Sequence, residues 1–429
     1  MKENAGALTK GVPRQPDREG ALLAVVREWK RSWRQGIASL LGGAVAFSVW
    51  AAVSSLFIQP LQDAFGWSRG DISLAFGAGL ISAFAAPIIG RMVDRLGVRP
   101  VLIAGLLLTA LCYVLLALMS GSLVYYYAVY FAFTIFGMCP TGITYTRVIS
   151  GAFHDTRGSA LAIVRSGLAL SGALLPILLF AAMTRWGFAG GFLTLAALIL
   201  LVSLPLAWFW IPSRHKEVRH PKATHTGLSD GWSILLRKPK VLLICLASAL
   251  NYAPVIAIMT QLMPLAQSKG MTDEMAVGAV SFLGVAAVGG ALLSGFLVDR
   301  FWAPMIAFIL NITPAIGCLL LLPDTVAPWM LYASVLMIGL GQGAEIDIVA
   351  YMIARYFGLR SYATIYGLSV LAIALSVAVA ASAIGQAYDL FGSYNIPLMC
   401  AAASFALAAV SYLLMGRYPR HDPDGPEAA

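Results

Sequence analysis

Residues 90–99 read GRMVDRLGVR and decide the fold of this chain. This charged segment separates two uncharged apolar runs, at 72–89 and 101–119. A helix needs about 20 apolar residues to cross a lipid bilayer, and both runs are close to that length. The pattern therefore predicts two membrane-spanning helices joined by a short loop at one face of the membrane, which we call the signature loop.

A second segment, GFLVDR at 295–300, also ends an apolar run. Its Gly, Asp and Arg stand 205 residues after those of the signature loop. A repeat at about half the chain length is typical of a membrane protein built from two related halves. We therefore expect Asp299 and Arg300 to be the second-half counterparts of Asp94 and Arg95.

The composition indicates a protein that lies mostly in lipid. Of its 429 residues, 59% are hydrophobic and 11% are charged, whereas soluble domains carry about 25% charged residues. The net charge of +9 does not indicate a nucleic-acid partner, because the basic residues are spread over many short loops. All five cysteines lie in apolar runs without the spacing of metal ligands, so we expect no metal and no cofactor.

Twelve apolar runs are long enough to span a membrane, and several pairs are separated only by turns. They occupy residues 36–58, 71–91, 101–119, 124–149, 159–183, 187–211, 240–265, 275–298, 303–322, 327–353, 361–388 and 394–415.

The long connection in the middle of the chain divides these runs into six and six. Residues 36–211 are predicted to form an N-terminal bundle and residues 240–415 a C-terminal bundle, joined by a polar cytoplasmic linker at 212–239. Residues 1–35 are predicted to be a cytoplasmic tail with a basic amphipathic segment, which either lies on the membrane surface or is only a positive flank. Residues 416–429 are predicted to be a second cytoplasmic tail.

The distribution of basic residues predicts the orientation. With the N-terminus in the cytoplasm, 25 Lys and Arg residues fall on the cytoplasmic side and 3 on the other side. Cytoplasmic loops of membrane proteins carry the excess of Lys and Arg. The sequence therefore predicts a multi-pass protein of the cytoplasmic (inner) membrane with both termini in the cytoplasm.

The spacing G-x-x-x-D-R-x-G-x-R between the second and third predicted spans resembles the signature loop of the major facilitator superfamily. The resemblance implies an all-α membrane protein with twelve transmembrane helices in two pseudo-symmetric six-helix bundles around a central cavity. It also implies that the loop acts as a latch, a contact that holds the cytoplasmic side closed.

The residue types of the signature loop suit such a latch. Gly90 permits close helix approach and Gly97 permits a tight turn. Asp94 stands where a carboxylate could meet the N-terminal dipole of a helix from the other half. Arg95 and Arg99 can pair with acids or lipid phosphates.

Two further patches are similar to the monocarboxylate porters and the oxalate/formate antiporters. One is FHDTRGSALA at 153–162, at the start of the fifth span, and the other covers the end of the first span at 57–69. The resemblance implies a small carboxylate substrate. The chain departs from this group in helix 1, which lacks an acidic-Gly-x-Trp motif, and in helix 8, where residues 275–298 are uncharged.

Three charged residues are predicted to lie inside the membrane, where a charge is costly and usually functional. We interpret Arg165 as the binding residue for a substrate anion, and Glu345 or Asp347 as the proton-coupling residue. Two positions on a helix differ by about 200°, so the two acids should lie on different faces. The alternative is a structural ion-pair network among the three.

Other polar residues in the spans complete the predicted site. Arg147, near the cytoplasmic end of helix 4, is interpreted as a gating residue. Each substrate-binding candidate has the alternative of a helix-packing hydrogen bond. These candidates are Ser55, Tyr145, Asn251, Tyr252 and Tyr366.

Together these patterns predict a secondary active transporter and not an enzyme. The expected substrate is a small, monocarboxylate-like organic anion moved by proton symport and alternating access, because Arg165 favours an anion over a lipophilic cation. An organic-anion antiporter, a multidrug exporter and a polytopic receptor are the alternatives. The expected partners are the substrate, protons and membrane lipid, and the protein is expected to be a monomer.

Overall fold

Long apolar runs fold as helices in a membrane because only a helix satisfies their backbone groups internally. The computed structural model agrees with this rule, and every regular element that it describes is helical. The predicted signature residue Asp299 and most of the predicted central linker lie outside the described residues. The structure describes residues 18–153, 157–212, 239–298, 300–358 and 361–418.

Among the described residues, ten α-helices form the first half of the chain, with 3₁₀ turns at Phe47–Val49, Ser54–Phe57 and Ala75–Ala78 and a π-helical turn at Ile199–Ser203. The helices are α1 (Arg18–Val45), α2 (Trp50–Val53), α3 (Ile58–Phe65), α4 (Arg69–Leu74), α5 (Gly79–Leu96), α6 (Val98–Ala117), α7 (Leu123–Gly137), α8 (Gly142–Ala152), α9 (Arg157–Leu198) and α10 (Leu204–Trp210).

Six longer helices form the second half in the part of the chain that the structure describes. The two halves therefore use different numbers of helical segments for the same number of predicted spans. The helices are α11 (Pro239–Ser268), α12 (Asp273–Val298), α13 (Ala303–Leu320), α14 (Pro328–Phe357), α15 (Tyr362–Phe391) and α16 (Asn395–Leu413).

Two spans of the first half are broken near the middle, and the breaks lie side by side. Ala46 has an extended backbone, and the first span bends by 43° there. Thr141 has an extended backbone between α7 and α8. The two spans meet at this level, because a Cβ added to Gly137 would run into the ring of Phe47. Interrupted helices are tolerated in a membrane only against protein or a water-filled cavity.

The first helix is longer than the sequence predicted. α1 begins at Arg18 and continues into the first span, so the basic segment before residue 35 is not a separate surface helix. It packs on the protein, because Ser32 Oγ donates to the carbonyl oxygen of Ala152 at 3.0 Å and the Trp29 ring lies 5.0 Å from that of Phe153. This packing favours the alternative of a basic flank over a helix that lies on the membrane surface.

The described residues contain eight helices that are long and apolar enough to cross a membrane, or nine when the bent pair around Ala46 counts as one span. The number is below the twelve predicted runs for physical reasons. The second run carries the charges of the signature loop at its end, and the fourth is divided at Thr141. The fifth and sixth runs follow each other directly across Gly187, whose backbone is not helical (φ 63°, ψ −164°), and they count together as one apolar stretch of 41 residues, Leu170–Trp210. The predicted all-α membrane fold is confirmed.

The hydrophobic core shows how the halves meet. One continuous apolar core includes α4 and α7 of the first half and α11, α12 and α16 of the second, and it joins the halves at the end of the molecule away from the signature loop, which we call the far end. At the other end, the signature end, the buried apolar clusters each belong to a single half. The halves are therefore packed together at the far end and have separate cores at the signature end.

Candidate functional site

A buried carboxylate lies in the middle of the second half. Glu345 on α14 is only 1% exposed. Its Oε2 accepts a hydrogen bond from Asn251 Nδ2 on α11 at 2.5 Å, and its Oε1 accepts one from the Tyr412 hydroxyl on α16 at 2.5 Å. Ser248 Oγ lies 3.5 Å from the same hydroxyl. Two neighbouring helices, α11 and α16, thus supply polar atoms around an acid on α14.

This arrangement can hold either protonation state of the acid. An ionised carboxylate only accepts, and the Asn251 amide and the Tyr412 hydroxyl both donate to it. A protonated Glu345 can donate to the Tyr412 oxygen after that hydroxyl rotates. Two buried hydrogen bonds also stabilise a polar group that would otherwise be costly to bury. The cluster is therefore chemically suited to taking up and releasing a proton.

The neighbouring acid has a different environment. Asp347 lies on the same helix two residues later, and it is exposed where Glu345 is buried. The prediction that the two acids lie on different helix faces is confirmed. The structure places Arg165 in α9, and its side chain lies outside the described part of the structure.

Two predicted substrate-binding residues share a small cavity. Tyr252 on α11 and Tyr366 on α15 line a pocket of about 130 Å³, together with Ile346 of α14 and Ser369 of α15. Ile346 directly follows Glu345, so the pocket and the buried acid lie on adjacent faces of one helix. The structure therefore brings Tyr252 and Tyr366 together beside the Glu345 cluster.

The other two candidates lie in the first half. Tyr145 on α8 is buried, with its ring against Gly42 of α1, and its hydroxyl finds no hydrogen-bond partner among the described residues. Ser55 is buried in the 3₁₀ turn of the first span, and its hydroxyl is likewise without a partner in the described part. The geometry does not bring either residue to the Glu345 cluster.

The signature loop makes a contact inside its own half. Asp94 forms an ion pair with Arg147 of α8, and both side chains are exposed. Two predicted gating residues are thus partners, but Asp94 meets Arg147 and not a helix of the other half. Gly97 has a φ of 88° between α5 and α6, a conformation that favours glycine, so the predicted tight turn is confirmed.

The remaining predicted gating residues lie at the surface of the signature end. A Cβ added to Gly90 would meet nothing within 4 Å, so the expected close helix approach is wrong for this conformation, in which the halves have separate cores there. Arg99 lies over the Trp208 ring at 5.6 Å, and Arg95 is exposed. Arg300 donates from Nη1 to the carbonyl oxygen of its own helix at Phe296, at 3.1 Å.

Sequence reasoning missed a polar cluster that joins the halves at the far end. Arg69 Nη1 donates to the Tyr394 hydroxyl at 2.8 Å, and that hydroxyl donates to Gln261 Oε1 at 2.8 Å. Gln261 Nε2 then donates to Ser73 Oγ at 2.7 Å, and Ser73 belongs to the first half, like Arg69. The Arg69 guanidinium also lies 3.9 Å from the centre of the Tyr388 ring.

A second far-end contact joins a carboxylate to a helix start. Asp389 Oδ2, near the end of α15, accepts from the backbone N–H of Gly70 at 2.6 Å. Gly70 lies in the first turn of α4, where free N–H groups and the helix dipole favour a negative charge. The type of contact predicted for Asp94 is therefore found at the opposite end, made by Asp389.

One signal for this cluster was present in the sequence. Arg69 and Asp389 are charged residues at the outer ends of two predicted runs, the second run of the first half and the fifth run of the second half. Their pairing needs the packing of α15 against α4, which no local pattern contains. Among the described residues, no group of three or more His, Cys, Asp or Glu side chains is placed to hold a metal ion.

Comparison with solved structures agrees with this architecture. The nucleoside transporter NupG matches with a TM-score of 0.73 and 12% identity, over 90% of this chain and 100% of that one. A D-xylose-proton symporter matches with a TM-score of 0.70 and 16% identity, over 89% and 97% of the two chains. A bacterial homologue of the human lysosomal transporter Spinster, inward-facing and unoccupied, matches with a TM-score of 0.69 and 16% identity, over 90% and 96%. These likenesses concern the fold alone.

Sequence comparison identifies the family. The curated protein MFS transporter asaE of Aspergillus flavus is 24% identical over 279 residues, which are 64% of this chain and 61% of that protein. The chain thus matches less than two thirds of that relative's length. The family model of the Major Facilitator Superfamily matches residues 39–381. This family consists of membrane transporters and not of enzymes, as predicted. Because its model matches well over half of the sequence, the chain belongs to the Major Facilitator Superfamily.

Proposed function

We propose that this protein is a secondary active transporter that moves a small, monocarboxylate-like organic anion together with protons by alternating access. The observation that carries the proposal is Glu345, a carboxylate 1% exposed in a membrane-spanning helix, with hydrogen bonds from Asn251 and Tyr412. Ionisable groups at such positions are rare and mark proton or substrate pathways.

In this proposal Glu345 is the proton carrier. Its two hydrogen-bond partners come from α11 and α16, so a shift of either helix changes the relative stability of the charged and neutral acid. Proton uptake is thereby linked to the arrangement of the second half. Asn251 then acts on the substrate indirectly, by holding Glu345.

Arg165 is proposed to bind the substrate anion. Its depth in the membrane follows from the contact between α9 and α12. α9 and α12 touch at Gly172 and Gly284, where a Cβ added to Gly284 would lie 2.7 Å from the Gly172 carbonyl carbon. Arg165 lies seven residues before Gly172, which places its backbone about 10 Å closer to the signature end.

Asp347 lies at nearly the same depth. Gly343 of α14 packs on the backbone of Ala287 in α12, three residues past Gly284. Asp347 is four residues further along α14, so its backbone lies about 10 Å from the level of Gly284 towards the signature end. The equal depths of Arg165 and Asp347 support a shared site near α12, in which a substrate carboxylate competes with Asp347 for the guanidinium.

The tyrosine-lined pocket completes the proposed site. Tyr252 and Tyr366 offer aromatic faces and hydroxyl groups beside the Glu345 cluster. Tyr145 and Ser55, in the two broken spans of the first half, are proposed to join the site when the halves move. Discontinuous helices often form substrate sites in transporters.

Orientation and gating remain part of the proposal. The signature end is proposed to face the cytoplasm, with the bundles bounded at 36–211 and 240–415 and with both termini inside. Asp94, Arg95, Arg99 and Arg147 are proposed to close this end when the far end opens, and the protein is proposed to work as a monomer in the cytoplasmic membrane.

Transport in liposomes tests proton coupling directly. Purified protein is reconstituted with an imposed pH gradient, and uptake and exchange of a panel of labelled monocarboxylates are measured. Glu345→Gln should abolish accumulation driven by the pH gradient and retain exchange, because the amide cannot carry a proton. The matched control is Glu274→Gln, an exposed acid at the start of α12, which should behave like the parent. Accumulation by Glu345→Gln equal to the parent would show that coupling lies elsewhere.

Binding and stability measurements test the role of Arg165. A guanidinium binds a carboxylate through two parallel hydrogen bonds, which an ammonium cannot copy. Arg165→Lys should therefore fold normally and bind the substrate found in the panel much more weakly. If Arg165 instead has a structural role, Arg165→Ala should lower the melting temperature. Combining Arg165→Ala with Asp347→Asn should then restore it. Parental affinity in a stable Arg165→Ala protein would remove Arg165 from the site.

A further inference from the structure

Two buried amide oxygens in the second half have no hydrogen-bond donor. Asn251 of α11 and Asn311 of α13 are 0% and 2% exposed, and the Oδ1 atom of each finds no partner among the described residues. Buried polar atoms in folded proteins are nearly always paired, with other protein atoms, with water or with an ion. Two unpaired acceptors in one region therefore indicate a place where a positively charged group can bind.

Both amides lie at the Glu345 carboxylate. Asn251 Nδ2 donates to Glu345 Oε2 at 2.5 Å, and the Asn311 side chain interacts with the same carboxyl group. The helix packing agrees, because a Cβ added to Gly341, one turn before Glu345, would lie 2.9 Å from the carbonyl oxygen of Leu310. The nitrogen and oxygen of an amide share one carbon, so half a turn of the side chain brings the oxygen of each amide to the carboxylate.

The carboxylate has no basic partner in the described part of the chain. Glu345 is 1% exposed, and no described Lys, Arg or His forms an ion pair with it. The side chains that face it from α11, α13 and α16 are Asn251, Asn311 and Tyr412, and none of them is a cation. An isolated charge is costly away from water. A proton or a small cation is therefore needed to compensate the negative charge of Glu345.

The available ligands favour a small monovalent cation. One carboxylate supplies one negative charge, so a divalent ion would leave a buried net positive charge. The ligand atoms are carboxylate, amide and hydroxyl oxygens, which hard cations prefer. These atoms already lie at hydrogen-bond distance from one another, so a small ion displaces the helices less than a large one. Sodium meets all of these conditions.

From these observations we propose that a sodium ion binds between Glu345, Asn251 and Asn311, with the hydroxyl oxygen of Tyr412 as a further ligand. The Tyr412 hydrogen can turn to Ser248 Oγ, 3.5 Å away, which leaves the phenolic oxygen to the ion. Because the ion occupies the carboxylate that otherwise takes a proton, the two exclude each other. The inference goes beyond the proposed function and does not depend on the transported substrate. The expectation of no metal rested on cysteine spacing, which does not concern a site made of oxygens.

Binding of radioactive sodium to the purified full-length protein tests the site. The bound label is measured by scintillation proximity at mildly alkaline pH and is displaced with the chlorides of sodium, potassium and choline. Asn311→Ala removes one ligand and keeps Glu345, and its control is Thr313→Ala, which removes a polar side chain from the same helix. Glu345→Gln removes the charge, and its control is the exposed acid variant Glu274→Gln.

We expect the parent to bind sodium saturably and to release it to sodium chloride in preference to potassium chloride. Asn311→Ala should weaken binding by about tenfold or more, as is typical when a metal site loses a supporting side chain. Glu345→Gln should abolish binding, and both controls should bind like the parent. No saturable binding by the parent, parental affinity in Asn311→Ala, or equal displacement by sodium and potassium would each overturn the proposal.

A melting measurement on the unmodified protein does not depend on how well the variants fold. The melting temperature of the parent should be higher in sodium chloride than in choline chloride of equal concentration, because a ligand that binds only the folded state stabilises it. Equal melting temperatures in the two salts would refute the site.

The sodium site and the proposed proton coupling can fail separately. If the parent binds no sodium and Glu345→Gln still loses accumulation driven by the pH gradient, the sodium site is wrong and the proton role stands. If the parent binds sodium and Glu345→Gln accumulates substrate like the parent, the site stands and the proton role of Glu345 is wrong.

Discussion

The contact between Asp389 and the start of α4 gives a direct test of how the far end is closed. The Asp389 carboxylate accepts from the Gly70 N–H at 2.6 Å, in the first turn of the helix. Asp389→Asn keeps the size of the side chain and removes its charge. Because the helix start favours an anion, we expect this variant to shift the protein towards states in which the far end is open.

The size of the shift follows from the contact. A hydrogen bond to a charged group contributes roughly 1.5–3 kcal/mol. Asp389 is exposed, so solvent screening lowers this contribution, and the asparagine oxygen still accepts a weaker bond. We therefore expect a loss of about 1 kcal/mol, which changes the ratio of the two states about fivefold.

Thiol labelling measures the opening. In a cysteine-free background, Ser382→Cys places a half-buried thiol on α15 facing the first half, because a Cβ added to Gly77 would lie 3.2 Å from Ser382 Oγ. An impermeant maleimide added to intact cells should label this thiol about fivefold faster in Asp389→Asn than in its parent, in proportion to the open fraction.

A variant of the same helix separates the contact between halves from helix capping. Asp71 accepts from the Ser68 N–H at 3.2 Å and from its hydroxyl at 2.9 Å, within the first half. Asp71→Asn makes the same chemical change and should leave the labelling rate near that of the parent. An unchanged rate in Asp389→Asn, or an equal rise in Asp71→Asn, would refute the reasoning.

Two further predictions concern packing and topology. Gly284→Ala should lower the melting temperature by an amount equivalent to roughly 1–3 kcal/mol, because the added Cβ would lie 2.7 Å from the Gly172 backbone. The control is Gly295→Ala on the same helix, where an added Cβ meets nothing within 4 Å, so the melting temperature should stay unchanged. Equal melting of both variants would contradict the close contact. Ser122→Cys, at the far-end start of α7, should react with an impermeant thiol reagent in intact cells, and labelling only after lysis would reverse the proposed orientation.

Local patterns in the sequence were sufficient for much of the fold. The apolar runs predicted the spans because backbone satisfaction in lipid permits little besides helices. The turn at Gly97 and the different faces of Glu345 and Asp347 followed from glycine geometry and helix periodicity. Each of these inferences needs only neighbouring residues.

The features that the sequence did not predict depend on contacts between distant residues. Asp389 and Gly70 are 319 positions apart, and Asn251 and Glu345 are 94 positions apart. The break at Ala46 has no proline of its own and lies where the neighbouring Phe47 packs on Gly137. Such partners are chosen by tertiary packing, for which a single sequence holds no periodic signal.

The apolar core shared by both halves at the far end has a thermodynamic consequence. Opening that end exposes apolar surface to water, and hydration of apolar surface raises the heat capacity. A van't Hoff plot of the equilibrium between the states with the far end open and closed should therefore be curved and not straight. Because hydrophobic association weakens on cooling, low temperature should favour an open far end.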